Sequence, residues 1–128
     1  MEGDTTEWKK EMKAVKDVFD NKVTLQQFAN FKGMDYGDCD ESFDAFKNYH
    51  NSIPKERIIR HIESLVPYCC MPMTSHEIFT GEAFKLSPGY YRDGDFIFPT
   101  DFLHYLKEYD IGIPPEYEQY LSSLPDVA

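Results

Sequence analysis

Basic residues are scarce in this chain: 13 Lys and Arg stand against 23 Asp and Glu, a formal net charge of -10 over 128 residues. A surface of that sign repels a phosphate backbone, which argues against direct binding of nucleic acid. Cysteine is scarcer still. Cys39, Cys69 and Cys70 are odd in number and two of them are adjacent, so they make no disulfide framework. No apolar run approaches the roughly 18 residues that a membrane-spanning helix needs. The N-terminal MEGDTTEWKK has no signal-peptide core. Together these absences predict a cytoplasmic protein that does not enter a membrane. Phosphate-cradling glycine loops, nucleophile elbows and HExxH patterns are also missing. The chain therefore reads as a non-enzyme without cofactor or metal.

What is abundant is aromatic. Phe, Tyr and Trp make up 16% of the residues within a hydrophobic fraction of 41%, enough for a proper core and too much for a disordered chain. At this length roughly two thirds of the unfolded surface can be buried, which fits one globular domain over residues 1–128. The negative charge is segregated as well. Residues 33–46 and 108–128 carry five acids each and no Lys or Arg. Like charges gathered this way cost folding free energy, so they suggest attraction to a basic partner, or else a surface that only keeps the chain soluble.

Periodicity predicts a helix over 5–19, from Trp8, Met12, Val15 and Phe19 on one face. A second short helix is expected from 24 to the stop at Gly33, because Thr24 and Gln27 match a capping box and Val23 and Phe28 a hydrophobic staple. Further helices are expected at about 41–50, over the stripe Ile58, Ile59, Ile62, Leu65 and Val66 that opens at Pro54, and for a turn or two at 75–80. Two more follow Pro99 and Pro114-Pro115. Between them GYYRDGDFIF reads as two strands around an Asp-Gly turn. The expectation is α+β, a mainly helical single domain with one small antiparallel β-hairpin near residues 84–98.

Catalytic or metal-binding constellations are weak. Cys69, Cys70 and His76 are at most three ligands, two of them adjacent, where a structural zinc site wants four at recognisable spacing. A small metal-binding protein or enzyme built on those three is the alternative reading, with an acidic regulatory subunit as another. Asp101 and His104 share a helix face, which is commonplace.

Acids interleaved with aromatics make more sense as a contact surface. Carboxylates accelerate encounter with a cationic protein, and Tyr supplies contact area at low entropic cost. The first candidate surface is the loop before and into the 41–50 helix: Asp35, Tyr36, Asp38, Asp40, Glu41 and Asp44. Tyr36, between glycines, is expected to be an exposed anchor. The hairpin tip comes second, with Tyr91, Arg92, Asp93 and Asp95, and Glu116 and Glu118 come third.

The C-terminal stretch GYYRDGDFIFPTDFLHYLKEYDIGIPPEYEQYL resembles the small acidic immunity proteins of bacterial polymorphic toxin and contact-dependent growth inhibition systems. That resemblance covers about a quarter of the chain. It implies a non-catalytic antitoxin that binds a cognate basic toxin, often a nuclease domain, and blocks its active-site groove. It leaves the oligomeric state open.

Overall fold

The computed structural model describes residues 13–17, 19–20, 22–36 and 41–125. Its centre is a five-stranded mixed sheet in the order β1-β2-β5-β4-β3. The strands are β1 (Lys13–Lys16), β2 (Thr24–Gln27), β3 (Cys69–Cys70), β4 (Gly89–Asp93) and β5 (Phe96–Pro99). Only β2 and β5 run parallel; the other neighbours are antiparallel. Three helices among the described residues complete the fold: α1 (Lys55–Glu63), α2 (Phe102–Glu108) and α3 (Pro115–Ser122). The architecture is α+β, and the expectation of a mainly helical domain with a lone hairpin is overturned.

The error lies in the N-terminal third. The described end of the expected 5–19 helix is strand β1, and the capping-box segment is strand β2. Each strand is four residues long, too short for a period of 2 to be told from one of 3.6. Pairing decides the matter. Gln26 N–H donates to the Asp95 carbonyl at 2.7 Å and Phe28 N–H to that of Ile97 at 3.2 Å. Phe28, placed by sequence as a helix staple, is fully buried at the centre of an aromatic core. Its ring lies 4.9 Å from Phe98, 5.3 Å from Tyr117 and 5.6 Å from Phe102. Tertiary burial of that ring outweighs local capping grammar worth about 1 kcal/mol.

Two other expected helices shrink as well. Residues 41–50 hold only a 3₁₀ turn, Phe43–Ala45. Beyond it the backbone turns left-handed at Asn48, φ 59°, and bonds across to residues 110–112. The 75–80 segment is a tight loop closed by a bridge between His76 and Ala83, turning at Gly81 with φ 75°.

The second half follows its sequence. The Asp-Gly turn joins β4 to β5, and Gly94 takes the expected positive φ, 61°. Helix α1 buries Ile58 and Ile62, although Val66 beyond its end is 82% exposed. Helix α2 buries Phe102, Tyr105 and Leu106, while α3 starts at Pro115 and buries Tyr117 and Leu121. Phe28, Phe31, Phe46, Phe98, Phe102 and Tyr105 are all fully enclosed, so most of the aromatic excess is core. Among the described residues no helix is long and apolar enough to cross a membrane.

Candidate functional site

Many of the sequence-selected acids hold the fold together. Glu41 is buried, and its carboxylate accepts the N–H groups of Ala29 at 3.0 Å and Asn30 at 3.1 Å. It thereby clamps the chain where Ala29 turns left-handed, φ 70°, at the exit of β2. Asp93 is buried too; it accepts the Tyr117 hydroxyl at 2.6 Å and lies 2.7 Å from His61 Nε2. That carboxylate ties β4 to α1 and α3. Glu118 accepts the N–H groups of Ser52 at 2.6 Å and Ile53 at 3.1 Å, together with Asn51 Nδ2 at 2.9 Å. It steadies the entry to α1 from a distant helix. Glu116 is half-buried on α3.

Tyr36 is the clearest reversal. It is 5% exposed and packs against Tyr90 with ring centroids 5.9 Å apart, so it is no exposed anchor. Burial, and then the Asp101 carboxylate beside it, push its hydroxyl far above the usual tyrosine range. Tyr91 is half-buried, and Asp95 is exposed on the hairpin turn. Asp38 and Asp40 lie outside the described residues. Only Asp35 and Asp44, from the first candidate surface, are described and exposed.

Those two belong to a different cluster, built on the loop before β4. Glu77 is buried, and its Oε1 accepts the N–H groups of Phe79 at 2.6 Å and Thr80 at 3.2 Å. Its other oxygen accepts the Tyr109 hydroxyl and lies 3.2 Å from His104 Nε2. Burial alone would raise this carboxyl, but the bonds donated by Tyr109, Phe79, His104 and Thr80 outweigh it and hold the group below its ordinary value. The same contact pushes the Tyr109 hydroxyl up to about 12. The loop is therefore fixed by a carboxylate placed for its own backbone, although Thr74 and Glu77 stand at the spacing of a helix capping box.

Around this anchor opens a pocket of about 370 Å³, lined by Glu77, Glu82, Glu108, His104, Tyr109 and Phe84 together with Thr80 and Ala83. None of the lining residues is Lys or Arg. Glu82 and Glu108 are exposed at its margin. Beside it stands Phe79, 54% exposed, its ring edge-on to Phe43 at 4.8 Å. Asp44 follows Phe43 in the chain. Asp35 accepts the His76 backbone N–H at 2.6 Å and lies 2.9 Å from its Nδ1, one residue before Glu77. The His76 side-chain bond holds the Asp35 carboxyl below the usual aspartate range. The result is a protruding aromatic ring bordered by carboxylates, suited to receive ammonium or guanidinium groups.

Among the described residues no three His, Cys, Asp or Glu side chains gather as a metal-holding group. Cys69 and Cys70 pair with Tyr90 and Gly89 in the sheet, while His76 is engaged by Asp35. Sequence reasoning missed Phe79, Glu82 and the role of Glu77; Glu108 it saw only as part of an acidic window. The alternation of acids and aromatics in HEIFTGEAF was the available signal. Comparison with family models, with curated proteins and with solved structures found no match.

Proposed function

We propose that this protein is an immunity protein that binds and neutralises a cationic toxin, in the simplest case a nuclease domain, through the acidic face around Phe79. The observation that carries the reading is a pocket with three carboxylates and no lining Lys or Arg, beside a half-exposed phenylalanine, in a chain of net charge -10. Charge of this kind steers a basic partner and raises association rates towards 10⁸–10⁹ M⁻¹s⁻¹ at low salt, an order-of-magnitude ceiling. Phe79 supplies an apolar contact that water does not offer the partner's surface. Lys or Arg side chains that hold phosphate in a nuclease groove are the natural occupants of the pocket, and their capture blocks that groove. No catalytic group of this protein takes part.

The test needs a basic effector domain as partner, to be sought in the neighbouring reading frame. Co-expression with this chain restores growth, and the two proteins form a complex whose association slows as salt rises. Glu82→Lys with Glu108→Lys keeps the melting temperature but slows association and flattens the salt dependence. Unaltered kinetics in that folded variant would discard the acidic face. Failure of the wild-type chain to bind the basic domain would discard the function itself.

A further inference from the structure

On the far side of Phe84 and His104 lies a second pocket, about 430 Å³ in volume. That is within the range of small-molecule sites, roughly 300–1,000 Å³. Its lining is mainly apolar: Phe84 and Leu86 from the loop before β4, Tyr91 from β4 and Leu103 from α2. Leu86 is 82% exposed, so a large apolar side chain stands uncovered at a concave apolar surface.

The charges at this pocket are of the opposite sign to those of the chain as a whole. Lys85 and Lys107 line it, and Asp101 is the single carboxyl that does. Lys85 makes no ion pair among the described residues. Lys107 pairs with Glu63 at 2.7 Å, but both side chains are about half exposed, and an ion pair so wet is readily exchanged. Asp101 is half-buried, and burial raises its carboxyl above the ordinary aspartate value. A net charge of -10 makes a concave surface with two lysines and one half-buried acid stand out.

We infer that this groove is a binding site for a small apolar anion, whose flat or aliphatic body lies against Phe84, Leu86, Tyr91 and Leu103 while its acid group meets Lys85 and Lys107. Apolar burial supplies affinity and the ammonium groups supply orientation and selection by charge. The inference does not depend on the toxin-binding reading, because the two pockets differ in both charge and lining.

The probe is 2-naphthoate, titrated into the full chain and followed by amide NMR, with 2-naphthamide as its uncharged counterpart. Saturable shifts are expected at Lys85, Tyr91 and Leu103, with the acid binding more tightly than the amide. Lys85→Glu weakens naphthoate about two- to fivefold, the scale of one exposed ion pair, and leaves naphthamide unchanged. Leu86→Ser weakens both ligands, and Glu82→Gln at the other pocket weakens neither. Positions 85 and 86 are exposed, so both variants keep the native spectrum. Shifts that do not saturate, or that centre on the acidic pocket, overturn the assignment. So do equal affinities for acid and amide that Lys85→Glu leaves untouched. Protection of Cys70 from thiol reagents, read in a chain with Cys39 and Cys69 replaced by Ser, locates the probe independently: naphthoate slows the reaction if it lies in the groove, and an unaltered rate refutes that placement.

Discussion

Phe84 and His104 meet edge to face with ring centroids 5.0 Å apart, and both side chains line two pockets at once. On one side of this wall stand Glu77, Glu82 and Glu108; on the other stand Lys85 and Lys107. Each of the segments 82–85 and 104–108 holds one lysine and one glutamate, and the wall sorts them by sign. A chain with a large net negative charge thus keeps two adjacent surfaces of contrasting chemistry.

Glu77 makes the fold sensitive to acid in a definite direction. Its folded pKa lies below the ordinary 4.5, so the unfolded chain takes up its proton first as pH falls. The stabilisation is complete above the unfolded value and is lost as pH drops through the folded one. Asp35 acts in the same sense from an ordinary 3.8. Urea midpoints measured from about pH 7 to 3 should fall at the acid end, and Glu77→Gln should lower the plateau and flatten that fall.

Glu41→Ala should destabilise the domain by about 2–4 kcal/mol, because two buried backbone N–H groups lose a charged acceptor where the chain turns left-handed. Equilibrium urea unfolding reads this directly. Asp44→Ala, an exposed acid three residues on, should shift stability by less than about 0.5 kcal/mol.

Gly94 is constrained twice. Its φ is 61°, and an added Cβ would lie 2.7 Å from the Tyr120 ring. Gly94→Ala should cost about 1–3 kcal/mol in thermal or chemical denaturation. Combining it with Tyr120→Ala should cost less than the sum of the two, since the second change removes the clash and leaves only the backbone strain.

Tyr117→Phe keeps the buried ring and removes the hydroxyl that Asp93 accepts at 2.6 Å. A loss of about 1.5–3 kcal/mol is expected, the range for a hydrogen bond to a charged group. His61→Ala should couple to it in a double-mutant cycle, because both side chains serve the same Asp93 oxygen.

The parts of this fold that announce themselves in sequence are those whose partners are near in the chain. The β4–β5 hairpin has its Asp-Gly turn, and α1 has the Ile58 and Ile62 stripe. Strands β1 and β2 pair with each other nearby, but no Asn-Gly or Asp-Gly step marks their connection, and β2's other partner, β5, lies far along the chain. Acids pose a related difficulty. Glu41, Asp93 and Glu118 look in sequence like any solvated carboxylate, yet each is engaged by groups on other segments. Tyr36 lies between glycines as an exposed loop residue would, but its ring is taken up by Tyr90. The face around Phe79 was obscured for the opposite reason. A carboxylate that organises its own loop mimics helix-capping grammar, so the segment reads as a short helix instead of a surface.

The parallel pairing of Gln26 with Phe96 has a consequence in time. Until a chain emerging from the ribosome has passed about residue 97, β2 has no strand to lie against on its inner side, and Phe28 has neither Phe98 nor Tyr117 to pack with. The N-terminal segment must therefore wait for the C-terminal third, and completion of the sheet is a late, long-range event of the kind that slows folding. A chain stalled or cut before β5 would carry an unpaired strand edge and an uncovered Phe28, which makes it a substrate for chaperones and proteases.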